Sequence, residues 1–95
     1  MKERKAMRAI ITVIGKDKPG IIAEVCTLLA SCKINILDIS QTVMEGFFTM
    51  TMLIDMKECI VPFAEVSEKL SAKGEEMNLS IRVQREDIFD KMHRI

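Results

Sequence analysis

The feature that most constrains this chain is the order in which its hydrophobic patterns change period. Residues 7–15, 34–44, 48–56 and 79–85 have the patterns of strands, whereas residues 20–32 and the segment after Pro62 have helical spacing. The pair Glu45-Gly46 separates the second and third strands by a tight turn, so these two strands pair as an antiparallel hairpin. The order of elements is therefore β-α-β-β-α-β.

This order predicts a single α+β domain. Right-handed crossovers give a ferredoxin-like βαββαβ sandwich, in which a four-stranded antiparallel sheet carries two helices on one face. The chain divides into a charged N-terminal extension at residues 1–6, the domain itself at residues 7–86 and a short C-terminal helical tail at residues 87–95. Gly74 either ends the second helix or sits inside it at a close contact.

Alternation in the first strand bears on the state of association. Ala9, Ile11 and Val13 share one face, which the helices would cover, and Ile10 and Ile14 share the other. Those two residues, with several β-branched neighbours, leave apolar area on the uncovered face of the sheet. A second copy or the C-terminal helix would bury it, and we expect a homodimer.

Composition and charge exclude several classes of protein. Hydrophobic residues make up 48% of the chain and charged residues 29%, as in ordinary folded domains, while 14 basic and 14 acidic residues cancel. The apolar runs fall short of the roughly 20 residues that span a membrane, and the charged N-terminus leads into no secretion signal. Three cysteines without paired spacing suit a reducing compartment. We therefore expect a cytoplasmic protein that binds neither nucleic acid nor membrane.

Residues typical of catalysis or metal binding are sparse. His93 stands in the tail without a second ligand at metal-binding spacing. Cys26 and Cys32 would project about 240° apart on a helix, and Cys59 falls in a separate loop. No motif of a serine nucleophile or a zinc protease occurs. The sequence therefore indicates a protein that is not an enzyme and that has no metal or cofactor.

Two other functions known for this fold are also disfavoured. RNA-recognition domains need a basic residue and stacking aromatic residues on the third strand, but Glu45 replaces the basic residue and Thr49 one of the aromatic residues. Acyl-phosphate chemistry would need an arginine near the first loop, and none occurs from Gly15 to Ile22.

The most informative segment is the turn from the first strand into the first helix, which reads GKDKPGII at residues 15–22. It is not a nucleotide loop, because Ile21 and Ile22 stand where Lys and Ser/Thr must bind phosphate and magnesium. The first N–H groups of the helix lack intrahelical partners and suit a carboxylate, while Asp17 can accept hydrogen bonds from an ammonium group. Together they describe a site for a free amino acid. Alternatively, Asp17 only caps the helix or the turn while Pro19 and Gly20 shape it.

The segment DKPGIIAEV, followed about one helix later by INILDIS, resembles the ACT domain, the amino-acid-sensing βαββαβ module of many biosynthetic enzymes. The likeness covers about residues 7–84. The segment ISQTV and the strand FFTM are more similar still to small free-standing ACT proteins of uncharacterised function, and to the ACT halves of the glycine cleavage system repressor.

The resemblance implies an effector site between the first loop of one protomer and the second strand of its partner. It nominates one group from the loop and one from the strand as ligand-binding residues: Asp17, Pro19, Gly20, Ile21 and Ile22, with Asn35 and Ile36. Because Lys16 and Lys18 flank Asp17, a dicarboxylic or otherwise anionic ligand is as plausible as a neutral amino acid.

The main functional hypothesis is a non-enzymatic regulatory module, a cytoplasmic homodimer that binds a small amino-acid-like ligand and signals to a partner protein. The alternative is a ligand-free adaptor that docks through its sheet face. The 8 methionines either fill the core or form an adaptable apolar surface between Met44 and Met56.

Overall fold

The computed structural model describes residues 7–86, and the expected order of elements is present within them. The elements are β1 (Arg8–Lys16), α1 (Ile21–Ser31), β2 (Asn35–Met44), β3 (Phe47–Asp55), α2 (Phe63–Met77) and β4 (Leu79–Arg85). The N-terminal extension and the C-terminal helical tail expected at residues 87–95 lie outside the described residues.

The strands form one antiparallel sheet in the order β2-β3-β1-β4. The central strand β1 pairs with β3 from Arg8↔Asp55 to Lys16↔Phe47, and it pairs with β4 on its other side. This topology confirms the ferredoxin-like prediction. Since β1 and β2 run in the same direction, the β1–α1 loop, the β2–β3 hairpin and the α2–β4 turn lie at one end of the sheet, called here the hairpin end.

The core lies between the helices and one face of the sheet. Its strand residues alternate as the sequence predicts, and both helices contribute apolar side chains from one side. The least exposed large side chains are Ile11, Leu29, Met50, Met52, Ile54 and Leu70. Met56 is also buried, whereas Met44 is 67% exposed. Three of the four methionines between residues 44 and 56 therefore fill the core rather than forming an adaptable surface.

The middle of the open face, meaning the sheet face without helices, is less apolar than the sequence led us to expect. Two cross-strand rows fill its middle, one reading Ser40, Thr51, Thr12 and Arg82 and the next reading Thr42, Thr49, Ile14 and Ser80. Many of the β-branched residues on this face are threonines, whose hydroxyl groups tolerate water. Ile14 is 47% exposed and Ile10 is half-buried. Exposed apolar area on this face is concentrated at the hairpin end, where Met44 and Phe47 pair across β2 and β3 and are 67% and 55% exposed.

Gly74 sits inside α2 and not at its end. A Cβ at this position would lie 2.7 Å from the carbonyl oxygen of Leu79 and 3.2 Å from Cγ1 of Ile81. The absence of a side chain lets α2 approach β4 closely. Of the two positions expected for Gly74, the structure therefore has the one inside the helix at a close contact.

An ion-pair cluster links the two helices on their outer side. The Lys73 ammonium lies 3.0 Å from a carboxylate oxygen of Glu24 in α1 and 3.4 Å from one of Glu76 in α2. Hydrogen bonds to Glu24 and Glu76 raise the pKa of Lys73 above its ordinary value.

Candidate ligand-binding site

The β1–α1 loop enters the helix through a glycine. Gly20 has a φ of 87° and is the N-cap of α1, with no side-chain hydrogen bond to the helix end. A residue with a Cβ is strained in this left-handed conformation, so the Pro-Gly pair fixes the direction in which the helix starts. The Asp17 amide donates to the carbonyl oxygen of Gly46 at 2.8 Å, which ties the loop to the β2–β3 hairpin.

The first turn of α1 carries unpaired hydrogen-bond donors. The earliest main-chain bond of the helix runs from the Glu24 amide to the Gly20 carbonyl oxygen at 2.9 Å. Within residues 7–86, no acceptor binds the amides of Ile21, Ile22 and Ala23. The positive end of the helix dipole adds to their attraction for an anion. We call these amides, with Gly20, the α1 mouth.

Asp17 does not cap this helix. Its carboxylate is exposed and has no hydrogen bond or ion pair within the described part of the chain. The interpretation in which Asp17 serves only as a cap is therefore wrong. An anion-attracting helix end and an unengaged carboxylate therefore lie within a few residues of each other in the β1–α1 loop.

The two lysines beside Asp17 have different environments. The Lys18 ammonium donates to the main-chain carbonyl of Met77 at the C-terminus of α2. Lys16 is exposed at the end of β1 and pairs across the sheet with Phe47. A hydrogen bond to an uncharged carbonyl does not cancel the charge of Lys18, so both lysines still place positive charge beside Asp17.

Asn35 and Ile36 lie at the far end of the sheet from the α1 mouth. Asn35 is opposite Asp55 and Ile36 is opposite Ile54, and the latter pair faces the helices. The remaining nominated residues, Asp17, Pro19, Gly20, Ile21 and Ile22, are together at the hairpin end. One protomer therefore does not bring the two groups of nominated residues together.

A bulge in β2 produces an apolar edge that the sequence analysis missed. The register shifts between Ile36 and Asp38, which leaves Leu37 without a partner residue. The shift puts Ile36, Ile39 and Val43 opposite buried residues of β3, on the helix side of the sheet. The exposed apolar residues of this edge strand, called here the β2 edge surface, are Leu37 at 43%, Ile39 at 38%, Val43 at 54% and Met44 at 67%.

Groups suited to other chemistry are not clustered in the described residues. No group of three or more His, Cys, Asp or Glu residues within residues 7–86 could hold a metal ion. The thiols are free, with Cys32 in the core, and Cys59 donates to the Val61 carbonyl at 3.3 Å. None of the helices in residues 7–86 is long and apolar enough to cross a membrane.

The fold and loop together are those of a βαββαβ domain in which a Pro-Gly loop precedes the unpaired amides of the first helix. The model of the ACT domain family matches residues 8–84, and the chain belongs to this family. ACT domains are regulatory modules that bind amino acids.

Two curated relatives match this chain along nearly their whole length. A UPF0237 protein of Clostridium acetobutylicum is 55% identical over 89 residues, which are 94% of this chain and 100% of that protein. A UPF0237 protein of Methanocaldococcus jannaschii is 47% identical over 88 residues, covering 93% of this chain and 98% of that protein.

Solved structures extend the likeness. An ACT domain protein from Streptococcus pneumoniae has a TM-score of 0.79 and 42% identity, covering 90% of this chain and 97% of that one. A putative glycine cleavage system transcriptional repressor has a TM-score of 0.73 and 29% identity, covering 84% of this chain and 46% of that one. The expected likeness to that repressor is confirmed.

Proposed function

We propose that this protein is a non-enzymatic, cytoplasmic regulatory module that binds a small amino-acid-like ligand at the interface of a homodimer and signals to a partner protein. The observation that carries the proposal is the α1 mouth, where the amides of Ile21, Ile22 and Ala23 are unpaired beside the unengaged carboxylate of Asp17. Main-chain amides at a helix start accept a carboxylate, and a side-chain carboxylate accepts an ammonium group.

The β2 edge surface supports the proposal that a second copy of the chain completes the ligand site. β2 is an edge strand with unpaired main-chain groups along its outer side, and its exposed apolar residues would be buried by a strand added there. A two-fold axis that pairs two β2 strands antiparallel puts the start of one beside the end of the other. Asn35 and Ile36 of the second copy would then approach the hairpin end, where the α1 mouth lies.

This arrangement explains how one ligand would be held by both groups of nominated residues. Asp17, Pro19, Gly20, Ile21 and Ile22 would supply one wall from the loop. Ile36 of the second copy would supply an apolar side chain from the helix side of its sheet. Asn35 of the second copy, which is the first residue of β2, would supply its side-chain amide. A ligand held between two subunits stabilises one dimer arrangement over others, and coupling of about 1–3 kcal/mol is typical of regulatory proteins.

A thermal-shift screen of the common amino acids tests the proposal. A ligand present at ten times its Kd stabilises the folded state by about 1.4 kcal/mol, which raises the Tm of a domain of this size by several degrees. We expect at least one amino acid to do so. The variant Asp17→Ala should lose the response, whereas Glu68→Ala, which removes an exposed carboxylate on α2, should keep it. A panel that gives no shift, or a shift that survives in Asp17→Ala, contradicts the proposal.

A further inference from the structure

The open face has an apolar centre at the end of the sheet opposite the hairpin end. Ile10 of β1 pairs there with Leu53 of β3 on one side and with Gln84 of β4 on the other. Leu53 in turn pairs with Asp38 of β2, and we call these four residues the far row. Ile10 and Leu53 are half-buried, and α1 and α2 pack on the opposite face of the sheet. Neither of these helices therefore covers the far row.

The chain leaves β4 at this end of the sheet and on this face. β4 ends at Arg85, which pairs with Ala9 near the start of β1. Nε of Arg8 donates to Oε1 of Glu86 at 3.0 Å, and Nη2 of Arg8 donates to Oε2 at 2.5 Å. Arg8 alternates with the buried Ala9, so it lies on the same face as Ile10. This two-point ion pair holds the segment after β4 beside the far row.

The segment that follows β4 has the pattern of an amphipathic helix. The backbone is already helical at Glu86, the last described residue, and residues 87–95 read DIFDKMHRI. Acidic residues stand at the start of this segment and basic residues at its end, which the helix dipole favours. The apolar residues have the spacing that puts them on one side of a helix. They are Ile88, Phe89, Met92 and Ile95, called here the tail stripe.

The length of this segment matches the width of the sheet. A helix of residues 86–95 is about 15 Å long, and the three gaps between four strands add up to about 14 Å. A helix that starts beside β4 and crosses the strands would therefore end over β2, where the exposed carboxylate of Asp38 would attract the basic Arg94. Lys16, at the hairpin end, lies six residues beyond Ile10 along β1, or about 20 Å. A helix about 10 Å wide leaves that end uncovered.

We propose that residues 87–95 form a helix that packs across the far row of its own protomer, with the tail stripe against Ile10 and Leu53. A second copy fits this row less well, because two apolar side chains supply far less than the roughly 800 Å² per partner that a stable interface buries. A segment already tethered to β4 avoids most of the entropy cost of association. The open face then offers a partner protein only its hairpin end, with Met44 and Phe47. The inference requires neither the α1 mouth nor a dimer.

Nuclear Overhauser effects (NOEs) in the methyl-labelled full-length chain test the proposal. We expect NOEs from the ring of Phe89 to the methyl groups of Ile10 and Leu53. In Phe89→Leu these methyl resonances should move by several linewidths, because the ring current is lost, while the Met44 methyl stays in place. Phe47→Leu is the matched control, since Phe47 pairs with Met44 at the hairpin end. This variant should move the Met44 methyl and leave Ile10 and Leu53 unchanged.

A mixture of ¹³C-labelled and unlabelled chains shows whose tail covers the far row. We expect the NOEs from Phe89 within one chain and none between chains. The proposal is refuted if Phe89 gives no NOE to Ile10 or Leu53, or if the two leucine variants move the same methyl resonances. NOEs between chains would also overturn it, because a second copy would then cover the far row.

Discussion

The ammonium of Lys18 donates a hydrogen bond to the main-chain carbonyl of Met77, which ties the loop before α1 to the last turn of α2. The cation stands at the negative end of the α2 dipole, where it also stabilises an otherwise unpaired carbonyl. The same contact commits one of the two lysines beside Asp17 to the structure of the loop. The geometry of the α1 mouth therefore depends on α2, although the two are distant in sequence.

Replacing Lys18 should reduce stability more than replacing Lys16. Lys18→Met keeps an aliphatic chain of similar length but removes the donor, and we expect the free energy of unfolding to fall by about 1 kcal/mol. Lys16→Met, at an exposed position in the same loop, should stay within about 0.5 kcal/mol of the parent. Urea unfolding followed by far-ultraviolet circular dichroism measures both, since the chain has no Trp or Tyr. Equal losses in the two variants would contradict the structural role of Lys18.

A side chain at position 74 should destabilise the protein even though it improves helix propensity. Gly→Ala inside an exposed helix normally stabilises by about 1 kcal/mol. In Gly74→Ala, however, the new methyl group would be 2.7 Å from the Leu79 carbonyl oxygen, and a main-chain atom cannot move aside cheaply. We expect a net loss of about 1–3 kcal/mol. The neighbouring exposed change Glu75→Ala is the control and should be nearly neutral; a more stable Gly74→Ala would show that α2 and β4 are less closely packed.

Hydrophobic period predicted the elements of this fold because burial depends on local alternation. In β3, each buried residue from Phe48 to Ile54 is separated from the next by a partly or fully exposed one, and such a strand has only one register that fills the core. In β2 this relation fails at Leu37, where the bulge changes the parity. The sequence contains no proline or glycine in β2 to mark the bulge, so the apolar row on its helix side could not be predicted.

The sequence was a better guide to which residues belong to the candidate site than to how they are arranged in space. Local sequence identifies the α1 mouth, because Pro-Gly before an apolar stripe defines a helix start. The bond from Lys18 to Met77 and the distance of Asn35 from Gly20 depend on how the elements are arranged in three dimensions.

The burial of the methionines predicts unequal effects of truncation. Met52 is fully buried in β3, so Met52→Ala should cost about 2–5 kcal/mol of unfolding free energy through lost contacts and a residual cavity. Met44, which is 67% exposed, should tolerate Met44→Ala within about 0.5 kcal/mol. Denaturant midpoints compare the two variants directly. A comparable loss at Met44 would instead indicate that this residue is buried by a second copy.

A charge on the β2 edge surface should dissociate the proposed dimer. Ile39 lies on the helix side of β2 and is 38% exposed, so Ile39→Lys should leave the fold intact while it opposes burial of the edge. We expect the dimer dissociation constant from sedimentation equilibrium to rise at least tenfold. Ser40→Lys adds the same charge one residue away on the open face and should sediment as the parent does. If Ser40→Lys is the variant that dissociates, the two copies pair through their open faces.

A glycine at position 33 should stabilise the protein because Lys33 ends the first helix in a left-handed conformation. Lys33 follows the C-cap of α1 with a φ of 64°, and the amides of Lys33 and Ile34 donate to the carbonyls of Ala30 and Leu29, as in a helix that normally ends at glycine. Lys33→Gly removes the Cβ, and after the entropy cost of glycine we expect a net gain of about 0.5–1 kcal/mol in the free energy of unfolding. Lys33→Gln keeps the Cβ, so its stability should match that of the parent. Urea unfolding measures both variants, and a glycine variant less stable than the parent would show that the left-handed conformation carries no strain.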